Sequence, residues 1–183
     1  MAEADRIKWN ERYAAGDWDR SPVPRLVQLA RVIRPAGTAL ALDLACGAGR
    51  NTLYLAGLGY TVDAWDVSEV GLGLLQRLAG EQGVAARVRT RQVDLDTAPL
   101  PVGRYDLVLD TYFLDRRLFG PLGAALKPGG LLFVETLMST PQRPGRPDYY
   151  LRTGELRAAF PGLAELFFQE DAAHGWAALL ARG

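Results

Sequence analysis

The chain has 183 residues, 49% of them hydrophobic and 23% charged, with 21 basic and 21 acidic side chains. That length suits one domain with a packed core, and a formal net charge of zero argues against a broad nucleic-acid or anionic-membrane surface. A single cysteine, Cys46, excludes an internal disulfide and a cysteine-based metal cluster, and no metal site is expected.

The opening stretch is charged and lacks an apolar signal core, and no apolar run is long enough to span a bilayer. A cytoplasmic protein without a membrane partner is expected. Up to about Pro24 the sequence reads as irregular, with Gly16, Pro22 and Pro24 as breakers. A strand is predicted from Thr38, a helix over 51–58, and a second strand from Tyr60. Ser68 is placed to cap a helix running toward Gly80. Alternating strands follow from Arg87 (RVRTRQVDL) and from Tyr105 (YDLVLD). Leu118, Leu122 and Leu126 space a helix over 115–126, and GGLLFVETLM from Gly129 is a strand. Residues 141–150, PQRPGRPDYY, hold three prolines and are read as an irregular loop on the substrate side. Thr153 is predicted to cap TGELRAAF, and two short strands over 164–168 and 176–181 close the chain as a hairpin.

Strand–helix alternation with short connections predicts an α/β fold: a Rossmann-like, mostly parallel seven-stranded sheet with helices on both faces and an antiparallel edge strand. Residues 1–183 are read as one domain. In such a sheet ligands bind at the carboxyl ends of the strands.

The stretch at 42–56, LDLACGAGRNTLYLA, is a strand, a Gly-rich turn and a helix start. Gly47 and Gly49 permit positive φ and close backbone approach. A nucleoside-triphosphate loop needs a lysine and a Ser/Thr after the second glycine, but Arg50 and Asn51 stand there. A dinucleotide turn wants a third small residue, and Thr52 fills that place. The remaining pattern is D-x-A-x-G-x-G, from Asp43, Ala45, Gly47 and Gly49. It resembles the first motif of class I S-adenosylmethionine-dependent methyltransferases. Acids near such a turn repel phosphate but suit a ligand that carries an ammonium and a sulfonium. Asp43, Asp66, Asp94 and Asp110 close four successive predicted strands on one sheet edge, a pattern that isolated turn-forming aspartates do not explain. Asp63 is read as a solvated neighbour of Asp66, and Cys46 as a small turn residue rather than a nucleophile.

LDLACGAGRNTLYLAGLGYTVDAWDVS and the late GELRAAFPGLAELFFQED are similar to the tellurite-resistance methyltransferase family. The resemblance implies an S-adenosylmethionine cofactor and a small-molecule acceptor, among which a soft chalcogen nucleophile is one class. It also implies cofactor contacts at Asp43, Ala45, Cys46, Gly47, Gly49, Asn51, Asp66, Val67, Asp94, Leu95 and Asp110, to which the aromatic N-terminal segment adds Tyr13 and Arg20, the latter as partner of the methionine carboxylate. Within that set Asp66 meets the ribose, Asp94 the adenine amino group and Asp110 the methionine end. Residues 1–24, with Trp9, Tyr13 and Trp18, are read as a lid over the cofactor, with helix packing on the sheet as the competing reading. Candidate catalytic residues are Asp110, His174 and Tyr112, with Asp115 and Glu135 as further bases. Tyr112 and Phe113 either wall the methyl site or pack in the core. A nicotinamide-dependent oxidoreductase and a catalytically inactive cofactor-binding module remain the alternatives. A monomer or homodimer is expected.

Overall fold

A computed structural model describes residues 2–140 and 148–183, so most of the loop expected over 141–150 lies outside the described residues. Seven strands share one sheet in the order β3-β2-β1-β4-β5-β7-β6. The chain contacts cluster into two compact units, residues 1–99 and 100–183.

The first unit opens with α1 (Ala2–Ala14), where an irregular segment was expected. The breakers begin only at Gly16. Ahead of them Glu3 and Asp5 in the first turn and Arg12 in the last complement the helix dipole. Two short helices follow, α2 (Pro24–Gln28), with its proline at the helix start, and α3 (Ala30–Ile33). Neither is long enough to show a periodic pattern. Strand β1 (Leu40–Leu44) leads into α4 (Arg50–Leu58), and β2 (Thr61–Asp66) into α5 (Glu69–Glu81). Strand β3 is Val88–Gln92. β1 pairs parallel with β2, and β2 parallel with β3. Ser68 caps α5 as predicted, its hydroxyl accepting the Gly71 amide at 3.0 Å. Gly59 ends α4 at φ 112, a left-handed position that suits glycine. Asp63 departs from expectation. It is buried and lies three residues before Asp66, on the opposite face of β2, where its carboxylate sits 3.8 Å from Arg89 of the paired strand.

In the second unit β4 (Tyr105–Thr111) runs parallel to β5 (Leu126–Leu137). The helix predicted over 115–126 is shorter. A 3₁₀ turn over Arg116–Leu118 precedes α6 (Phe119–Ala124), and Leu126 begins β5. Gly120, Pro121 and Gly123 inside that stretch explain the shortening. Helix α7 (Glu155–Ala158) starts after Gly154 at φ 74, so Thr153 is not its cap. Instead the Glu155 carboxylate reaches back to the Arg152 amide at 2.8 Å. β7 (Trp176–Arg182) runs antiparallel between β5 and the marginal strand β6 (Ala164–Asp171), which makes the expected hairpin. Among the described residues no helix is long and apolar enough to cross a membrane.

Candidate functional site

The first unit places Asp43 in β1, Asp66 at the last residue of β2, and Asp94 two residues beyond the end of β3. Between β1 and α4 the backbone turns through three left-handed residues: Ala45 (φ 49), Gly47 (φ 57) and Gly49 (φ 83). Three amides of this turn are committed. Cys46 donates to Trp65 O at 3.0 Å, Gly47 to Asp66 Oδ2 at 2.8 Å, and Gly49 to Cys46 O at 2.9 Å. Asp66 Oδ1 accepts the Ser68 amide at 2.8 Å, so one carboxylate ties the turn to the start of α5. Burial raises the Asp66 carboxyl, opposed by the Ser68 and Gly47 amides.

Asp43 is 1% exposed. Its Oδ2 accepts the Thr52 hydroxyl at 2.6 Å, while Oδ1 has no hydrogen-bond partner. Burial pushes its pKa up to about 7. Thr52 therefore occupies the place of a third glycine for a reason of its own: it holds the motif's first acid. Burial likewise drives the Cys46 thiol well above its ordinary range, in keeping with a structural turn residue.

The two glycines are small for different reasons. A Cβ on Gly49 would overlap the Leu75 side chain of α5, so this residue serves packing as well as the turn. A Cβ on Gly47 would overlap the Tyr13 hydroxyl, and one on Gly71 would crowd the Tyr13 ring. Helix α1 thus lays Tyr13 directly on the glycine turn. Trp9 stacks on Tyr13 with ring centroids 5.8 Å apart, and Arg12 lies over Trp9. Arg20 is exposed and stacks on Trp18 with its guanidinium 4.9 Å from the ring centre. Buried Asn51 accepts the Val23 amide at 3.0 Å, which anchors the chain after α1 to the start of α4. Val67 and Asp94 line a cavity of about 290 Å³, and Leu95 is buried beside them.

The second unit holds the remaining predicted residues. Asp110 is buried near the end of β4. Tyr112 follows the strand at φ 59, 43% exposed, and its hydroxyl donates to Glu135 Oε1 at 2.7 Å. Asp115 is held by Arg117, whose amide and guanidinium bond it at 2.6–3.0 Å and keep its carboxyl below the usual range. His174 lies in the β6–β7 turn, where Nδ1 meets Asp171 Oδ2 at 2.8 Å. Trp176 pairs with Leu137, so this turn stands at the carboxyl end of β5.

Sequence reasoning did not single out Arg6, Asn10, Glu69, Gln92 and Asp171, which bond to one another or to His174. The signal for the first two was available: with Trp9 and Tyr13 they repeat every three to four residues, the spacing of one helix face.

Similarity to known proteins bears on these same elements. A probable S-adenosyl-L-methionine-dependent methyltransferase TehB of Haemophilus influenzae (strain ATCC 51907 / DSM 11121 / KW20 / Rd) is 31% identical over 126 residues, covering 65% of this chain and 42% of that protein. A ubiquinone biosynthesis O-methyltransferase of Xanthomonas axonopodis pv. citri (strain 306) is 32% identical over 122 residues, 64% of this chain and 50% of that protein. The chain therefore spans half or less of the length of these two relatives. The crystal structure of TehB from Haemophilus influenzae matches with a TM-score of 0.76 at 25% identity, over 94% of this chain and 66% of that one. The family model described as tellurite resistance protein TehB matches residues 10–175, from α1 to the β6–β7 turn, and the chain belongs to that family.

Proposed function

We propose that residues 1–183 form a single domain that binds S-adenosylmethionine and transfers its methyl group to a small-molecule acceptor. The observation that carries this reading is the Gly47 amide, which donates to Asp66 rather than facing outward. A dinucleotide or triphosphate turn presents such amides to phosphate oxygens. Here the Gly47 amide is given to a carboxylate and those of Cys46 and Gly49 to backbone carbonyls, and two buried acids stand where a phosphate would gather negative charge. A ligand bearing an ammonium and a sulfonium finds the opposite sign, and the unpartnered Asp43 Oδ1 is an acceptor left for it or for an intervening water.

The group supplies the leaving-group activation when bound. The chain's own residues have the tasks of binding, aligning and excluding water. In this reading Asp66 receives the ribose hydroxyls, Asp94 the adenine amino group, and Asp110 the methionine end. Tyr13 closes over the turn and Tyr112 walls the acceptor side. His174 is the base for an oxygen or nitrogen acceptor: with Asp171 on Nδ1, Nε2 is left to take a proton. A soft chalcogen nucleophile has no need of it.

Calorimetry with S-adenosylhomocysteine and NADH tests the binding reading. Heat from the first and none from the second is expected, and the reverse result sinks it. A panel of soft and oxygen acceptors, followed by S-adenosylhomocysteine release, then identifies the substrate class.

A further inference from the structure

The cavity of about 290 Å³ in the first unit is lined by Glu3, Arg6, Val67, Gln92, Val93 and Asp94. Sites for whole small ligands run from ~300 to ~1,000 Å³, so this one suits a single ring system. Two valines give it apolar walls, and Gln92 and Asp94 give it a polar edge. The remaining wall comes from α1, through two residues that no binding motif singles out.

Those residues belong to a converging network. Arg6 grips Glu3 through Nε at 2.9 Å and Nη2 at 2.7 Å, and reaches Glu69 Oε1 through Nη1 at 2.6 Å. Asn10 donates to the same Glu69 oxygen at 2.8 Å, while its own oxygen accepts the Ser68 hydroxyl at 2.6 Å. Gln92 donates to Glu69 Oε2 at 3.2 Å and to Val67 O at 3.1 Å. Glu69, the first residue of α5, is thus the hub joining α1 to the end of β3. Exposed ion pairs contribute little to fold stability, so three side chains gathered on one carboxylate at a cavity rim serve local placement. Carboxylates bond a guanidinium in its plane, which leaves the flat face for an aromatic ring.

Resting on the reading of an adenosine-bearing cofactor, we propose that Arg6, held by Glu3 and Glu69, is the outer plate of the adenine compartment and governs how tightly the nucleobase is retained. Arg6 is then a specificity-determining residue of the cofactor site, and α1 is part of that site rather than a bystander.

The test is the rate of S-adenosylhomocysteine release by stopped flow, with adenosine affinity as a second readout. Arg6→Ala should release the product roughly five- to tenfold faster, a loss of cation–π size. Arg6→Lys should do nearly the same, because an ammonium keeps the charge but has no plane. Glu69→Gln should give about half of that effect on a logarithmic scale, since one of two anchors remains. Adenosine, which carries the base without the amino acid, should weaken by the same factor. Melting temperatures should stay unchanged. Wild-type release in Arg6→Lys overturns the plate, and unchanged release in Arg6→Ala overturns any role for Arg6 at the base. Absence of S-adenosylhomocysteine binding to the wild-type protein overturns the cofactor reading and this inference with it.

Discussion

The turns after β1 and β4 begin alike and end differently. In each a buried aspartate near the strand end, Asp43 or Asp110, is followed two residues later by a non-glycine residue at positive φ, Ala45 at 49° and Tyr112 at 59°. These are the non-glycine residues with positive φ among the described ones, and such positions carry backbone strain that concentrates at functional sites. After Ala45 the chain builds its cradle from backbone, with Gly47 and Gly49 left-handed and their amides committed. After Tyr112 it builds from side chains: the phenol seats on Glu135, and Asp115 caps the next turn. A backbone cradle fixes residue types through sterics, whereas a side-chain scaffold can be built from many residue types. In the proposed function the first turn serves the cofactor, and the second, beyond Asp110, serves the acceptor.

The comparison breaks most sharply at Gly49. A Cβ there meets both a left-handed backbone and the Leu75 side chain. Gly49→Ala should lose roughly 2–5 kcal/mol in urea unfolding, the left-handed cost plus overpacking. Adding Leu75→Ala should show favourable coupling, because it removes the overlap though not the backbone cost. A loss under about 1 kcal/mol would mean that the turn relaxes freely and is no fixed cradle.

Asp43 provides the next largest effect. Its carboxyl titrates at about 7 in the folded chain against an ordinary 3.8. The folded state therefore holds a proton that the unfolded state has released. The stability this contributes is full below about pH 4 and is lost as pH rises through about 7. Asp43→Asn should abolish that slope and leave the variant roughly 2–4 kcal/mol more stable than wild type near pH 8, at ~1.4 kcal/mol for each tenfold change in proton affinity. It should also bind S-adenosylmethionine more weakly. In the wild-type protein, cofactor binding at about pH 7 should release a proton, detectable as a buffer-dependent heat. A variant that is less stable at every pH would show that the carboxylate is needed for the fold itself.

This contrast also explains what could be read in advance. D-x-A-x-G-x-G, the Ser68 cap and the strands that end in Asp66 and Asp110 were legible because backbone geometry and helix capping admit few residue types. The termini of β1, β2, α4 and α5 fell close to the prediction for the same reason. Helix α1 was read as irregular because its polar latch, Arg6 and Asn10 onto Glu69, joins residues about sixty positions apart. The helix predicted over 115–126 failed because leucine spacing outweighed Gly120, Pro121 and Gly123 in the reading, while the fold obeyed the breakers. Asp171 was missed although it stands only three residues before His174, because their pairing depends on the tight turn that bends His174 back onto it.

On the β4 side, Tyr112→Phe removes the phenolic donor to a fully buried Glu135 carboxyl. A hydrogen bond to a charged group contributes about 1.5–3 kcal/mol, and Tyr112 is partly exposed, so water can replace some of it. A loss of about 1–2 kcal/mol in denaturant unfolding is expected, with cofactor affinity unchanged and acceptor KM raised. If the binding of S-adenosylhomocysteine fell instead, the second turn would belong to the cofactor beyond Asp110 as well, and its contrast with the first would disappear.

The smallest effect tests what the two turns share. Ala45→Gly should relieve a left-handed cost of about 1–2 kcal/mol, offset by the ~0.5–1 kcal/mol of extra entropy that glycine loses on folding. The net gain should be about 0.5 kcal/mol. Tyr112→Gly gains the same relief but gives up the Glu135 bond, so it should be destabilised overall. The sign of the two changes therefore separates strain held by backbone alone from strain held by a side chain. Thermal unfolding of both variants without ligand, then with S-adenosylhomocysteine, reads it directly. If Ala45 is strained for the cofactor's sake, Ala45→Gly should gain stability when empty and gain less from ligand than wild type does, because the looser turn must be ordered on binding. Equal ligand stabilisation in variant and wild type would assign the positive φ of Ala45 to chain routing between β1 and α4, with no part in binding.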